Sequence, residues 1–178
     1  LPYLSTDHPA EEQHRDVWTA MNVSLRVLPE DQQDRFAEMA VFPLDTGTVD
    51  AAVVTLWEHT ADMTPRNARK LLADFRRRSL VRVTETNRET DGPRQHIVLH
   101  DLLHNFATGM AKKRFGSESV LHEQLVAAYR KKCPDGWHTG PNDGYFLENL
   151  CDHFLALEDW AWIIGTEDAP GILCDLRW

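Results

Sequence analysis

"TPRNARKLLADFRRRSLVRVTETNRETDGPRQHIVLHD", residues 64–101, carries a helix signal, two strand signals and a second helix start in unbroken order. Thr64 is a good N-cap, because its hydroxyl can accept from a backbone N–H that the first turn leaves unpaired. Pro65 suits the first helical position, where its missing N–H is no loss. Ala68, Leu71, Leu72 and Phe75 then follow at i, i+3, i+4 and i+7, the spacing of one buried helical face. Beyond them Leu80, Arg82 and Thr84 alternate with Val81 and Val83, and "RQHIVLH" supplies a second β-rich run. The intervening "NRETDGP", residues 87–93, holds Asn, Asp-Gly and Pro, so the two runs predict a hairpin with a loose loop.

Upstream, Val17, Trp18, Met21, Val23 and Leu25 mark one face of a helix over residues 10–27 that ends at Leu28-Pro29. Pro29, placed at the first helical position and followed by Glu30 and Asp31, opens a second helix with acids at the positive end of its dipole. Phe36, Met39 and Ala40 are its buried stripe, and Pro43 stops it. Thr48 is expected to cap the next helix, with Val49, Val53, Leu56 and Trp57 on its inner face. Three helices and then a hairpin is the order of a winged helix. Downstream a helix starts near His100 and carries Leu99, Leu102, Leu103, Phe106 and Met110 on one face. Val120, Leu121, Leu125, Ala128 and Tyr129 follow, then the loop "PDGWHTGPNDG" and the apolar "YFLENLCDHFLALEDWAWII". The predicted fold is mainly α: a linker or lead-in helix over 1–22, a winged helix of three helices and a β-hairpin wing over 23–113, and the first part of an α-helical superhelical segment over 114–178.

With 42% hydrophobic and 26% charged residues in 178, the chain can bury a sizeable core. Its longest apolar runs, such as "AAVVTLW", are far short of a membrane span, and its first residues lack the basic, apolar and small-residue order of a secretory signal. A cytoplasmic setting is the expectation. Cys133, Cys151 and Cys174 form no C-x-x-C and are odd in number, so they read as core or free thiols in a reducing compartment. The chain starts without methionine and stops on Trp178, as expected of a piece excised from a longer protein.

Two constellations could carry chemistry. His100 and His104 lie about 40° apart on a helical wheel and can reach one object. A zinc hydrolase needs glutamate after the first histidine and a third ligand; here Asp101 is one methylene shorter and no third ligand is near in sequence, so no metal is assigned. At the junction of strand and helix, His100 could instead donate to a phosphate oxygen where the helix dipole attracts anions, or serve as an ordinary helix-start histidine. The second constellation is basic. From Thr64 to Arg82 there are seven bases against one acid, a balance of +6 in a chain whose net charge is −9. Arg66, Arg69, Lys70, Arg76 and Arg77 lie opposite the Leu71/Leu72/Phe75 stripe, where a recognition helix would meet DNA, and Asn67 is the candidate for an adenine contact. The same face could equally be solvated or dock on an acidic domain.

The ordered series "SLRVLPEDQQDRFAEMAVFP", "LWEH", "LLADFRRRSLV" and "IVLHDLLHNFA" resembles the winged-helix part of the NB-ARC or STAND nucleotide switches, above all the apoptotic protease-activating factor type. "LHEQLVAAYRKKC", "GWH", "DGYFLENLCDHFLAL" and "ILCDLRW" resemble the helical domain that follows it in that family and in its bacterial WD40-bearing relatives. The likeness covers residues 20–178. It implies that Leu99-His100-Asp101 is the family's Met/Leu-His-Asp motif, with His100 on the β-phosphate of ADP and Leu99 and Asp101 as motif support. No G-x-x-x-x-G-K-[ST] is present, so this stretch is not an ATPase by itself and would share ADP or ATP with an upstream nucleotide-binding domain. A downstream repeat sensor and homo-oligomerisation on activation are the further partners implied. The runner-up is a winged-helix transcription regulator that binds DNA through the basic third helix.

Overall fold

The computed structural model describes residues 19, 23–44, 47–88, 92–158, 164–166 and 169–170. Val17, Trp18, Met21, Cys174, the hairpin tip and the middle of "LEDWAWII" lie outside the described residues. The fold is mainly helical with a small three-stranded antiparallel sheet. Helix α1 (Glu30–Glu38) runs into a 3-10 turn (Met39–Val41); strand β1 (Thr48–Val49) leads into α2 (Asp50–Ala61) and α3 (Pro65–Arg77). Strands β2 (Arg82–Arg88) and β3 (Gly92–Val98) form the hairpin, and α4 (Asp101–Phe115), α5 (Ser119–Lys131), a 3-10 turn (Trp137–Thr139) and α6 (Phe146–Leu157) follow. A short pair, β4 (Gly165–Thr166) and β5 (Ala169–Pro170), comes last.

Helix α3 forms where its local signals place it. The Thr64 hydroxyl accepts from the Asn67 N–H at 3.3 Å, Pro65 is the first helical residue, and Ala68, Leu71, Leu72 and Phe75 are its buried face. The hairpin also forms, with Val83 opposite Ile97 and Thr84 opposite His96. Its ladder extends further than the composition of "NRETDGP" predicts: Asn87 pairs with Pro93 and Arg88 with Gly92, which leaves a shorter loop. Leu80 and Val81 precede the ladder and are buried.

Three local expectations are corrected. Thr48 does not cap α2; it belongs to a third strand, paired with Ile97, and Val49 occupies the cap position without a side-chain bond. Gly47 permits that strand: at φ +66° a Cβ here would stand 2.6 Å from the Ile97 carbonyl oxygen, closer than any side chain tolerates. Pro29 is the N-cap of α1 and not its first residue, since the first helical dihedrals belong to Glu30. Val23 is 59% exposed while Leu25 is buried, so the two do not share an inner face.

The buried side chains form one continuous cluster from Leu25 to Phe154. Its first half centres on Phe75, whose ring meets Phe36 and Trp57 edge-on at centroid distances of 5.8 and 5.9 Å. Its second half is a row of aromatics, Tyr129, Trp137, Tyr145, Phe146 and Phe154. Phe42, just after the first 3-10 turn, joins the halves by an edge-on contact with Tyr145 at 5.7 Å. Helix α4 packs on α1, and α5 is held between α2 and α6. Each such fully buried large apolar side chain contributes about 1.5–3 kcal/mol from burial. Among the described residues no helix is long and apolar enough to cross a membrane.

Candidate functional site

Leu99 is buried and anchors the end of β3 in the core, while His100 and Asp101 are exposed. His100 is the N-cap of α4: its backbone is extended at φ −66°, ψ 147°, and its Nδ1 accepts from the Leu102 N–H at 3.4 Å. The contact is long, but it sets the tautomer. With Nδ1 accepting, the ring proton sits on Nε2, which remains a donor. Asp101 opens the helix with a negative charge at its positive end. An exposed N–H donor beside the unpaired amides of a 15-residue helix can engage an anion.

His104 has a different task. Its Nε2 donates to the carbonyl oxygen of Phe42 at 3.2 Å and ties α4 to the turn after α1. The two histidines of "HDLLH" therefore do not converge on one object: one caps the helix and the other bonds the backbone 62 residues away. Among the described residues no group of three or more His, Cys, Asp or Glu side chains could hold a metal ion.

The basic face of α3 is solvent-exposed at Arg66, Asn67, Arg69, Lys70, Arg76 and Arg77, and its charges divide into two sets. Arg69 pairs with Asp50 at 2.8 Å across to α2, and Asp74 takes Arg77 at 2.7 Å and Arg78 at 3.5 Å. The Arg77 hydrogen bond, with the charge of Arg78, holds the Asp74 carboxyl below its ordinary range. Arg66, Lys70 and Arg76 have no ion pair among the described residues. The free positive charge of this face is thus smaller than the sequence count.

Two polar clusters escaped the sequence. In the first half, Arg35 and Glu38 are both buried on α1; their side chains meet at 2.7 Å, and the Thr60 hydroxyl on α2 donates to Glu38 at 3.1 Å while accepting from Arg35 at 3.0 Å. Burial pushes the Glu38 carboxyl up to about 7, against the opposing pull of Arg35 and Thr60. In the second half, His122 of α5 and His153 of α6 face each other Nδ1 to Nδ1 at 2.8 Å, and His153 Nε2 meets the Tyr145 hydroxyl at 2.5 Å. Burial, then the His122 ring, pulls His153 down to about 3. Tyr129 donates to Asp143 at 2.8 Å, and Asp143 also accepts from the Tyr145 and Phe146 N–H groups, capping α6. The i, i+3 spacing of Arg35 and Glu38 was a visible signal, though the same spacing is commonest on solvated helices; His122 and His153 stand 31 residues apart and left none.

No protein-family model matches this chain, and no curated protein matches it.

Proposed function

We propose that this chain is the regulatory winged-helix and helical module of a STAND (NB-ARC) nucleotide switch, in which His100 reads the β-phosphate of ADP shared with an upstream nucleotide-binding domain. The supporting observation is the geometry of Leu99-His100-Asp101: a buried leucine fixes the junction, and an exposed histidine with a free Nε2–H caps the helix it opens. Three helices followed by a hairpin (α1 to α3, β2 and β3) agree with a winged helix, and α5 and α6 with the first helices of a stacked segment. His100 would stabilise the ADP-bound closed state by a contact absent from the open one; exchange to ATP and a signal at a downstream repeat domain would release it for homo-oligomerisation in the cytoplasm.

The test is the nucleotide content of the untruncated native protein, released by denaturation and identified by chromatography. Near-stoichiometric ADP is expected in the wild type. His100→Ala removes one hydrogen bond to a charged group, about 1.5–3 kcal/mol, and loosens ADP by roughly one to two decades. Equal ADP retention in both proteins counts against the assignment. The second reading, a DNA-binding regulator, draws on the exposed and unpaired Arg66, Lys70 and Arg76 of α3. It demands an affinity that falls steeply with salt, as phosphate neutralisation does.

A further inference from the structure

A cavity of about 490 Å³ lies between α3, the sheet and the segment before α6, in the size range of small-ligand sites. Its apolar lining comes from Val49, Leu72, Val81, Val83 and Ile97. Four charged side chains also line it, and two of them are already matched: Asp50 holds Arg69. The other two, Arg76 from α3 and Asp143 from the segment before α6, do not pair with each other.

Arg76 is exposed and makes no ion pair among the described residues, so its planar guanidinium is open to a carboxylate. Asp143 is partly engaged. Its Oδ1 accepts the Tyr145 and Phe146 N–H groups, both at 2.9 Å, and its Oδ2 accepts only the Tyr129 hydroxyl at 2.8 Å. A carboxylate offers about four acceptor sites, so Oδ2 can take one more donor. These three contacts also hold the carboxylate in place, which lowers the ordering cost of a fourth.

From an unpaired guanidinium, a positioned carboxylate with a spare acceptor site and an apolar lining within one cavity, we infer that this chain binds a free α-amino acid with an apolar side chain. Its carboxylate meets Arg76, its ammonium meets Asp143 Oδ2, and its side chain covers Leu72, Val83 and Ile97. The site joins α3 and the sheet to the helical segment, so its occupancy ties the two halves of the chain together. It is independent of the nucleotide proposal and uses none of residues 99–101.

The experiment is isothermal titration calorimetry of the whole chain with L-leucine, N-acetyl-L-leucine, which lacks the ammonium, and L-leucinamide, which lacks the carboxylate. Saturable binding of leucine at one site is expected, with each analogue weaker by about tenfold or more, the effect of one lost charge-assisted contact. Arg76→Gln is expected to weaken leucine to the same degree yet leave leucinamide unchanged, because the charge that leucinamide lacks has no partner left to lose. Arg77→Gln, whose arginine does not line this cavity, is expected to bind leucine as wild type does. The analogues probe Asp143 without disturbing the α6 cap. No saturable heat with leucine, equal affinity for leucine and either analogue, or unchanged binding in Arg76→Gln would overturn the proposal. So would an end-blocked leucine peptide that binds more tightly than leucine, which would point to a protein partner.

Discussion

Arg35–Glu38, buried on both sides, and His122–His153, a half-buried ring on a buried one, are polar pairs, one in each half of the core, and they solve the same problem by opposite chemistry. The first pairs a guanidinium with an acid and shares Thr60 between them. The second pairs two imidazoles, so one Nδ1 must donate and the other accept. A consistent proton order runs from the Tyr145 hydroxyl to His153 Nε2, and from His153 Nδ1–H to His122 Nδ1. Burial opposes a second proton on either ring. The contrast teaches that burial depth alone does not fix how stability responds to pH; the identity of the neutral partner does.

The largest expected effect separates the two pairs by acid. His153 sits at about 3 in the folded chain against an ordinary 6.5, so between those values the unfolded chain binds a proton that the folded chain refuses. Stability from this group is complete above pH 6.5 and is lost as pH falls toward 3, with an upper bound of about 5 kcal/mol. Glu38 has the reverse sign: raised from 4.5 to about 7, it contributes stability that is complete below pH 4.5 and is lost as pH rises through 7. Urea unfolding across this range should show an acid limb that His153→Phe flattens. An unchanged acid slope in that variant would erase the distinction.

Next in size is the removal of one partner from the charged pair. At pH 8, where Glu38 is ionised, Glu38→Ala leaves Arg35 buried without its anion and should cost about 3–5 kcal/mol by denaturant unfolding. A cost near 1 kcal/mol would mean that water reaches Arg35. The smallest effect is at the surface. Arg69 and Asp50 are about half-exposed, and Arg69→Ala should change stability by less than about 1 kcal/mol, a difference that salt reduces further. A larger loss there would show that the α2–α3 pair acts as part of the core.

How far the site was legible differs residue by residue. That His100 opens a helix follows from its place after a β-rich run and before Leu102, Leu103 and Phe106, and the structure puts it at the N-cap. That His104 bonds Phe42 was not legible, because its partner lies 62 residues away in a turn with no sequence mark. The basic count on α3 could be read directly, whereas the pairing of Arg69 with Asp50 depends on how α2 lies against α3.

The same division runs through the fold. Thr64, Pro65 and the Leu71/Leu72/Phe75 spacing act through contacts within one or two turns, so the residues alone specify α3; alternation and a turn-forming loop likewise specify the β2–β3 hairpin. A strand of two residues has no period to detect. Thr48–Val49 becomes strand only because Gly47 lets the backbone reach β3, some 50 residues on in sequence, and Arg35, Glu38 and His153 become core only because another helix covers them. Local hydrogen bonds and side-chain periodicity are written in neighbouring residues. Desolvation is not, because it depends on which distant surface arrives.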